Sequence, residues 1–379
     1  MPTRRILFSK ISNLKKSILL LGPRQCGKTT LIRSLEPDLE INLADEETFL
    51  QHLRDPGLLR RSLGGHKRIF IDEVQRIPSL LNTTQALIDK DSRLQFFLTG
   101  SSARKLRRGK ANLLPGRVLT FEMGPLTHEE LGADFNLSKA LEVGLLPGVY
   151  WESSPEVARK TLRTYANTYL KEEIQAEALT RNLEGFSRFF HAIAARSGDT
   201  VDFSKIASEA MIERTSARRY FEILVDTLVA RPVEAFAKSK RRRLVQHPRF
   251  YFFDVGVLNG CMENFQPSPD RVGCLFEHLF LQLLETSARA HDHSYRISFY
   301  RTDAGAEVDF IFEREGETFA IEVKASRTVQ PHDLRGLASF GEFHGKKHHP
   351  LVVYRGDAEL NIKGIPVLPL TSALKSLGY

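Results

Sequence analysis

Short apolar runs alternate with amphipathic stretches through the first third of the chain. Ile18 to Leu21, inside the segment SILLL, is an unbroken apolar run, the pattern of a strand buried on both faces. Leu39 to Leu43 (LEINL), Arg68 to Ile71 (RIFI), Leu94 to Leu98 (LQFFL) and Arg117 to Phe121 (RVLTF) read as four further strands. Helical patterns fall between them, at Leu31 to Leu35 and Leu80 to Asp89. Strands alternating with helices predict a parallel sheet covered on both faces, with ligand at the carboxyl ends of the strands.

The rhythm changes further on. Leu131 to Gly148 is irregular, and Ala158 to Leu179 carries an apolar stripe at helical spacing. From Phe186 the pattern predicts a helix over Ser187 to Arg196, a second over Phe203 to Ala210, a turn, and a third over Ser216 to Leu228. Two strand-like runs follow, Val229 to Phe236 and Leu244 to Phe253, which completes the outline of a winged helix-turn-helix. The last segment reads helix (Val272 to Ser287), three strands (Arg296 to Arg301, Glu307 to Phe312, Thr318 to Lys324), helix (His332 to Phe340) and strand (Leu351 to Tyr354).

Composition adds limits. A chain of 379 residues leads to an expectation of two or three domains. Its net charge of +8 favours an anionic partner. Residues 201–250 hold eleven Lys or Arg against six Asp or Glu, with Lys238, Lys240, Arg241, Arg242 and Arg243 on the expected wing and Arg218 and Arg219 on the expected recognition helix. Such clustering suits phosphate contact, so DNA is the expected partner. Cys26, Cys261 and Cys274 show neither a metal spacing nor a disulfide framework, which points to a reducing cytoplasm. The apolar run near the N-terminus leads straight into a glycine-rich loop and reads as a strand, not an export signal. No run approaches the roughly 18 apolar residues that span a bilayer, so no membrane partner is expected.

The chemistry starts at that loop. Gly22-Pro23-Arg24-Gln25-Cys26-Gly27-Lys28-Thr29, followed by Thr30, satisfies GxxxxGK[ST] between a strand and a helix. Glycines let backbone N–H groups close around phosphate oxygens, and the following helix presents its positive end to the same anion. Lys28 is expected on the β- and γ-phosphates of ATP, and the Thr29 hydroxyl on Mg²⁺. The strand RIFI ends on Asp72-Glu73, with Asp72 expected to hold Mg²⁺ and Glu73 to polarise the attacking water. Thr99, at the tip of the next strand, is placed to touch the γ-phosphate.

These motifs, with FIDEVQ at Phe70 to Gln75, FFLTGSSA, and GRV followed by PLTHEEL, resemble a group of bacterial and archaeal AAA-type ATPases. The resemblance implies an arginine finger at Arg117, acting in cis or from a neighbouring subunit, and assembly into a homo-oligomer through the ATPase domain. A basic run, Arg104 to Lys110, lies between Thr99 and Arg117.

In the last segment, residues two apart in a strand share a face, so Glu322 and Lys324 point the same way. Asp309 on the neighbouring strand can converge with Glu322, and hard oxygen ligands of this kind suit Mg²⁺ or Mn²⁺. Lys324 would then position water or stabilise the transition state. Together with Glu277 in the preceding helix, this set is similar to the PD-(D/E)xK nuclease superfamily. The whole chain then resembles AAA ATPases that carry a C-terminal domain of unassigned function. The expected fold is α/β. It comprises a P-loop AAA-type domain (1–130), a helical connector (131–185), a winged-helix domain (186–254) and a nuclease-like domain (255–379). Two functions stay open: an ATPase acting on DNA with metal-dependent nuclease activity, or a nucleotide-switched module whose C-terminal domain binds a partner without catalysis.

Overall fold

The computed structural model describes residues 3–101, 116–169, 183–236 and 247–379. The basic runs at 104–110 and 238–243 lie outside the described residues. The chain divides into two compact units, one of residues 1–126 with short pieces at 226–229 and 289–292, the other of the remainder.

The first unit is built on five parallel strands: β1 (Ser17–Leu21), β2 (Leu39–Asn42), β3 (Arg68–Asp72), β4 (Gln95–Gly100) and β5 (Val118–Glu122). Their spatial order is β2-β3-β4-β1-β5. Every residue of β1 is buried, as its apolar run requires. Two apolar layers cover the sheet. One gathers Leu19, Ile41, Ile69, Ile71, Phe96 and Leu98 against the helix Leu80–Lys90; the other gathers Ile18, Leu20, Phe70 and Phe97 against Leu7, Ile11 and Ile32. The parallel register sets Ile71 opposite Leu98 and Leu21 opposite Gly100, so the carboxyl ends of β1, β3 and β4 lie side by side at one end of the sheet.

The second unit holds a mixed sheet of eight strands: β6 (Ala230–Ala235), β7 (Arg249–Phe252), β8 (Tyr295–Arg301), β9 (Glu307–Arg314), β10 (Glu317–Lys324), β11 (His349–Tyr354), β12 (Leu360–Ile362) and β13 (Ile365–Pro369). The order is β12-β13-β11-β10-β9-β8-β6-β7. Three helices, Leu183–Ala194, Phe203–Glu209 and Arg214–Asp226, precede the antiparallel pair β6–β7. That pair does not stand alone. β6 also runs parallel to β8, with Glu234 opposite Ser298 and Ala235 opposite Phe299. A single sheet therefore continues across residue 254. The helix Val272–Ala290 buries Leu275, Phe276, Leu279, Phe280, Leu283 and Leu284, and Phe280 packs against Phe310 of β9 at 6.0 Å between rings.

Of the helix expected over Ala158 to Leu179, the described part is Pro155–Thr164 followed by a wider helical turn over Tyr165–Tyr169, and 170–179 lie outside the described residues. A six-residue helix, Ile6–Ile11, was not anticipated, because a segment that short has little periodicity to read. Among the described residues no helix is long and apolar enough to cross a membrane.

Candidate functional site

The loop after β1 turns on two residues with positive φ, Gln25 and Gly27, before the helix Lys28–Arg33 begins. At φ 93° Gly27 lies where L side chains are strained, so glycine fits there for a physical reason. Gly22 is fixed by packing: an added Cβ would lie 2.1 Å from the Met123 carbonyl oxygen. Arg5, 9% exposed, clamps the same loop. Its guanidinium donates to the carbonyls of Cys26 (2.6 Å), Gly124 and Pro125 (both 2.9 Å), which ties the loop to the segment after β5. Nothing in the motif spacing identified Arg5, because its partners are backbone oxygens.

Lys28 is buried, and its ammonium donates to the carbonyls of Gly22 (2.8 Å) and Pro23 (2.9 Å). Both of these partners are neutral oxygens, so a phosphate oxygen at this loop would be a stronger partner. The Thr29 hydroxyl donates to Asp72 at 2.8 Å. Thr99 donates to the other oxygen of the same carboxylate and accepts the Glu73 backbone N–H at 3.2 Å. Lys28, Thr29, Asp72, Glu73 and Thr99 are thereby gathered from three chain segments. Glu73 takes the left-handed conformation, φ 58°, and its carboxylate accepts from Gln75, whose amide also donates to Ser101 at 2.9 Å. The donor set suits Mg²⁺: a hydroxyl and a carboxylate that already converge, beside a loop shaped for phosphates. Pro23 and Cys26 are buried within the loop, Arg24 is half-buried, and Gln25 and Thr30 are exposed. Arg117 is exposed at the start of β5 and paired with Asp89 at 2.5 Å.

The acids of the second unit also meet. Asp309 on β9 accepts the Val323 N–H at 2.8 Å, and Lys324 donates to Glu322 at 2.6 Å, both on β10. Glu277, from the helix Val272–Ala290, accepts the Tyr251 hydroxyl at 2.5 Å. Among them stands a residue that motif reading passed over. Arg249 of β7, 5% exposed, bonds Glu307 and lies 3.8 Å from Glu277 and 3.9 Å from Asp309, with its guanidinium 4.8 Å from the centre of the Phe299 ring. Burial, then the charge of Asp309, pushes the Glu277 and Glu322 carboxyls up to about 8, and burial raises Asp309 as well. Burial also disfavours the charged form of Lys324, yet Glu322 outweighs it and the lysine stays charged. A divalent metal needs ionised oxygens free to face it. Here the oxygens face a guanidinium, an ammonium, a phenol and an amide. Among the described residues no three Asp, Glu, His or Cys are arranged to hold a metal. The expected ligand pair Asp309 and Glu322 is close, but in this arrangement it does not fit Mg²⁺ or Mn²⁺.

Comparison with known proteins matches three successive stretches of the chain. Residues 14–132 match the family model described as an AAA domain. Residues 134–268 and 272–373 match two models, each described as a domain of unknown function (DUF8612 and DUF4143). An uncharacterized protein of Mycobacterium tuberculosis is 28% identical over 331 residues, covering 85% of this chain and 73% of the relative. One from Methanocaldococcus jannaschii is 21% identical over 350 residues, covering 84% and 77%. AMPPCP-bound DnaA from Aquifex aeolicus overlaps 57% of this chain and 84% of its own at 13% identity, with a TM-score of 0.30, too slight a likeness to carry an argument. Residues 14–132 are thus similar to AAA domains, which supports a nucleotide-binding, ATPase-type role for the first unit.

Proposed function

We propose that the first unit binds and hydrolyses ATP, and that the nucleotide state governs DNA binding by the second unit, which does not itself cleave. The observation that carries the ATPase half is the hydrogen-bonded set Thr29–Asp72–Thr99–Glu73 beside Lys28. Lys28 neutralises the β- and γ-phosphates, and backbone N–H groups of residues 24–28 take up the remaining oxygens. Thr29 and Asp72 would hold Mg²⁺, whose positive charge would offset that of the phosphates. Glu73 orients water for attack. For that, its carboxylate must leave the Gln75 amide that holds it. Arg117 acts only where its exposed pair with Asp89 opens, for example toward a neighbouring subunit.

DNA is the partner this reading favours. The net charge of +8 supports it, as do Arg214 and Arg218, exposed on the helix Arg214–Asp226. Arg249 among the acids favours the binding role over cleavage, because the carboxylates are already compensated. The cysteine pattern favours a cytoplasmic location. The reading is tested by ATP turnover and DNA binding of the full chain with ATP and with ADP, beside Lys28→Ala and a paired Arg214→Glu, Arg218→Glu variant. Turnover lost in the first, and nucleotide-dependent binding weakened in the second, are the expected results. Metal-dependent DNA cleavage lost in Asp309→Ala would replace the binding role with a nuclease.

A further inference from the structure

Three carboxylates from two elements, Glu277 on a helix and Glu307 and Asp309 on β9, surround one buried side chain contributed by β7. Arg249 lies in the stretch matched by one family model, and its three acids lie in the stretch matched by the next. An arginine 5% exposed is not placed to reach a phosphate backbone in solution. Nor can it give up its charge, since guanidinium stays protonated. The Phe299 ring lies against the guanidinium at 4.8 Å, which leaves its planar fork to the carboxylates.

We propose that Arg249 is the resident cation of this acid cluster and takes the electrostatic place of a divalent metal there. Mg²⁺ requires oxygens at about 2.0–2.1 Å. The Glu277 and Asp309 oxygens nearest the guanidinium are the ones a metal would have to share with it. Two cations in one buried cluster repel, and in an interior of low dielectric that repulsion is strong at contact distance. A metal therefore enters only when the guanidinium leaves. Lys324 holds the other end of the set through Glu322, so the acids are compensated from inside the chain on both sides. The inference deepens the non-cleaving reading of the second unit and is independent of the ATP site.

The test is a Mn²⁺ titration of the full chain without nucleotide, followed by electron paramagnetic resonance and by thermal unfolding. It compares wild type, Asp309→Asn, Arg249→Met and Arg249→Met with Asp309→Asn. The expected result is identical titrations for wild type and Asp309→Asn. Arg249→Met gains one Mn²⁺ and unfolds at a higher temperature with Mn²⁺ than without it, and both changes disappear when Asp309→Asn is added. Mn²⁺ bound by wild type and lost in Asp309→Asn would overturn the proposal, and so would a folded Arg249→Met that takes up none. If Arg249→Met does not fold, Arg249→Gln, which keeps a donor for Glu307, carries the same arms. The wild-type comparison with Asp309→Asn decides independently of both.

Discussion

The two acid-and-lysine constellations of this protein use the same residue types and end in opposite electrostatic states. At the phosphate loop, Lys28 is compensated by two backbone carbonyls, and Asp72 is held by two hydroxyls. Neither group meets an opposite charge in those bonds, so a polyphosphate with its metal supplies to each what the fold does not. In the second unit, Lys324 lies against Glu322 and Arg249 lies among Glu277, Glu307 and Asp309. There the charges are settled internally. A motif names the residues; what compensates them decides whether a ligand is needed.

The strongest way to break this comparison is to remove the lysine of the first site. Lys28→Ala should lower kcat/KM for ATP by about 10³-fold, the scale of losing a positioned donor at a transition state, with phosphate release as the measurement. Glu73→Gln should cost about 10²–10⁴-fold in kcat while equilibrium binding of ATP, followed by calorimetry, is retained. Equal losses of binding and turnover would mean that Glu73 serves the loop and not the water.

The second site is sharpened through stability. Arg249→Met removes the cation beside the part-exposed Glu307 and should cost about 1–3 kcal/mol in denaturant unfolding. Adding Glu307→Gln should return part of that, since one uncompensated charge is removed. Glu322 gives a pH test. Its folded pKa, about 8, lies above the ordinary 4.5, so between those values the folded state binds more protons than the unfolded one. Its contribution is complete below the unfolded pKa and declines as pH rises through 8. Glu322→Gln should therefore flatten the loss of stability from pH 5 to pH 8 relative to wild type. The smallest effect is expected at Arg117→Ala, which should leave the unfolding temperature unchanged because the pair with Asp89 is solvent-exposed. A drop in turnover that mixing with a Lys28→Ala variant restores would assign Arg117 to a neighbouring subunit.

How much was legible follows from distance along the chain. The phosphate loop is contiguous, and β1 and β3 are apolar runs that end abruptly, β1 at Gly22 and β3 on Asp72, so Lys28, Thr29 and Asp72 can be assigned from spacing alone. Asp309 and Glu322 could be matched because antiparallel neighbours with period-two side chains leave few registers. Arg249 lies 28 residues before Glu277 and 60 before Asp309, at the end of a strongly basic stretch. There it read as one more surface arginine. Its burial is set by the parallel pairing of β6 with β8, a contact between strands some 60 residues apart that local pattern cannot encode.

The continuity of the eight-stranded sheet across residue 254 has a practical side for anyone producing the C-terminal portion separately. Beginning the polypeptide at residue 255 would discard β6 and β7 and expose the flank of β8, whose backbone donors and acceptors at Ser298 and Phe299 now face a neighbour. A bared flank of that kind recruits strands from other molecules, and the expected product is an aggregating fragment. Starting the polypeptide upstream of residue 183 retains the helices, the hairpin and Arg249 with the acids it neutralises.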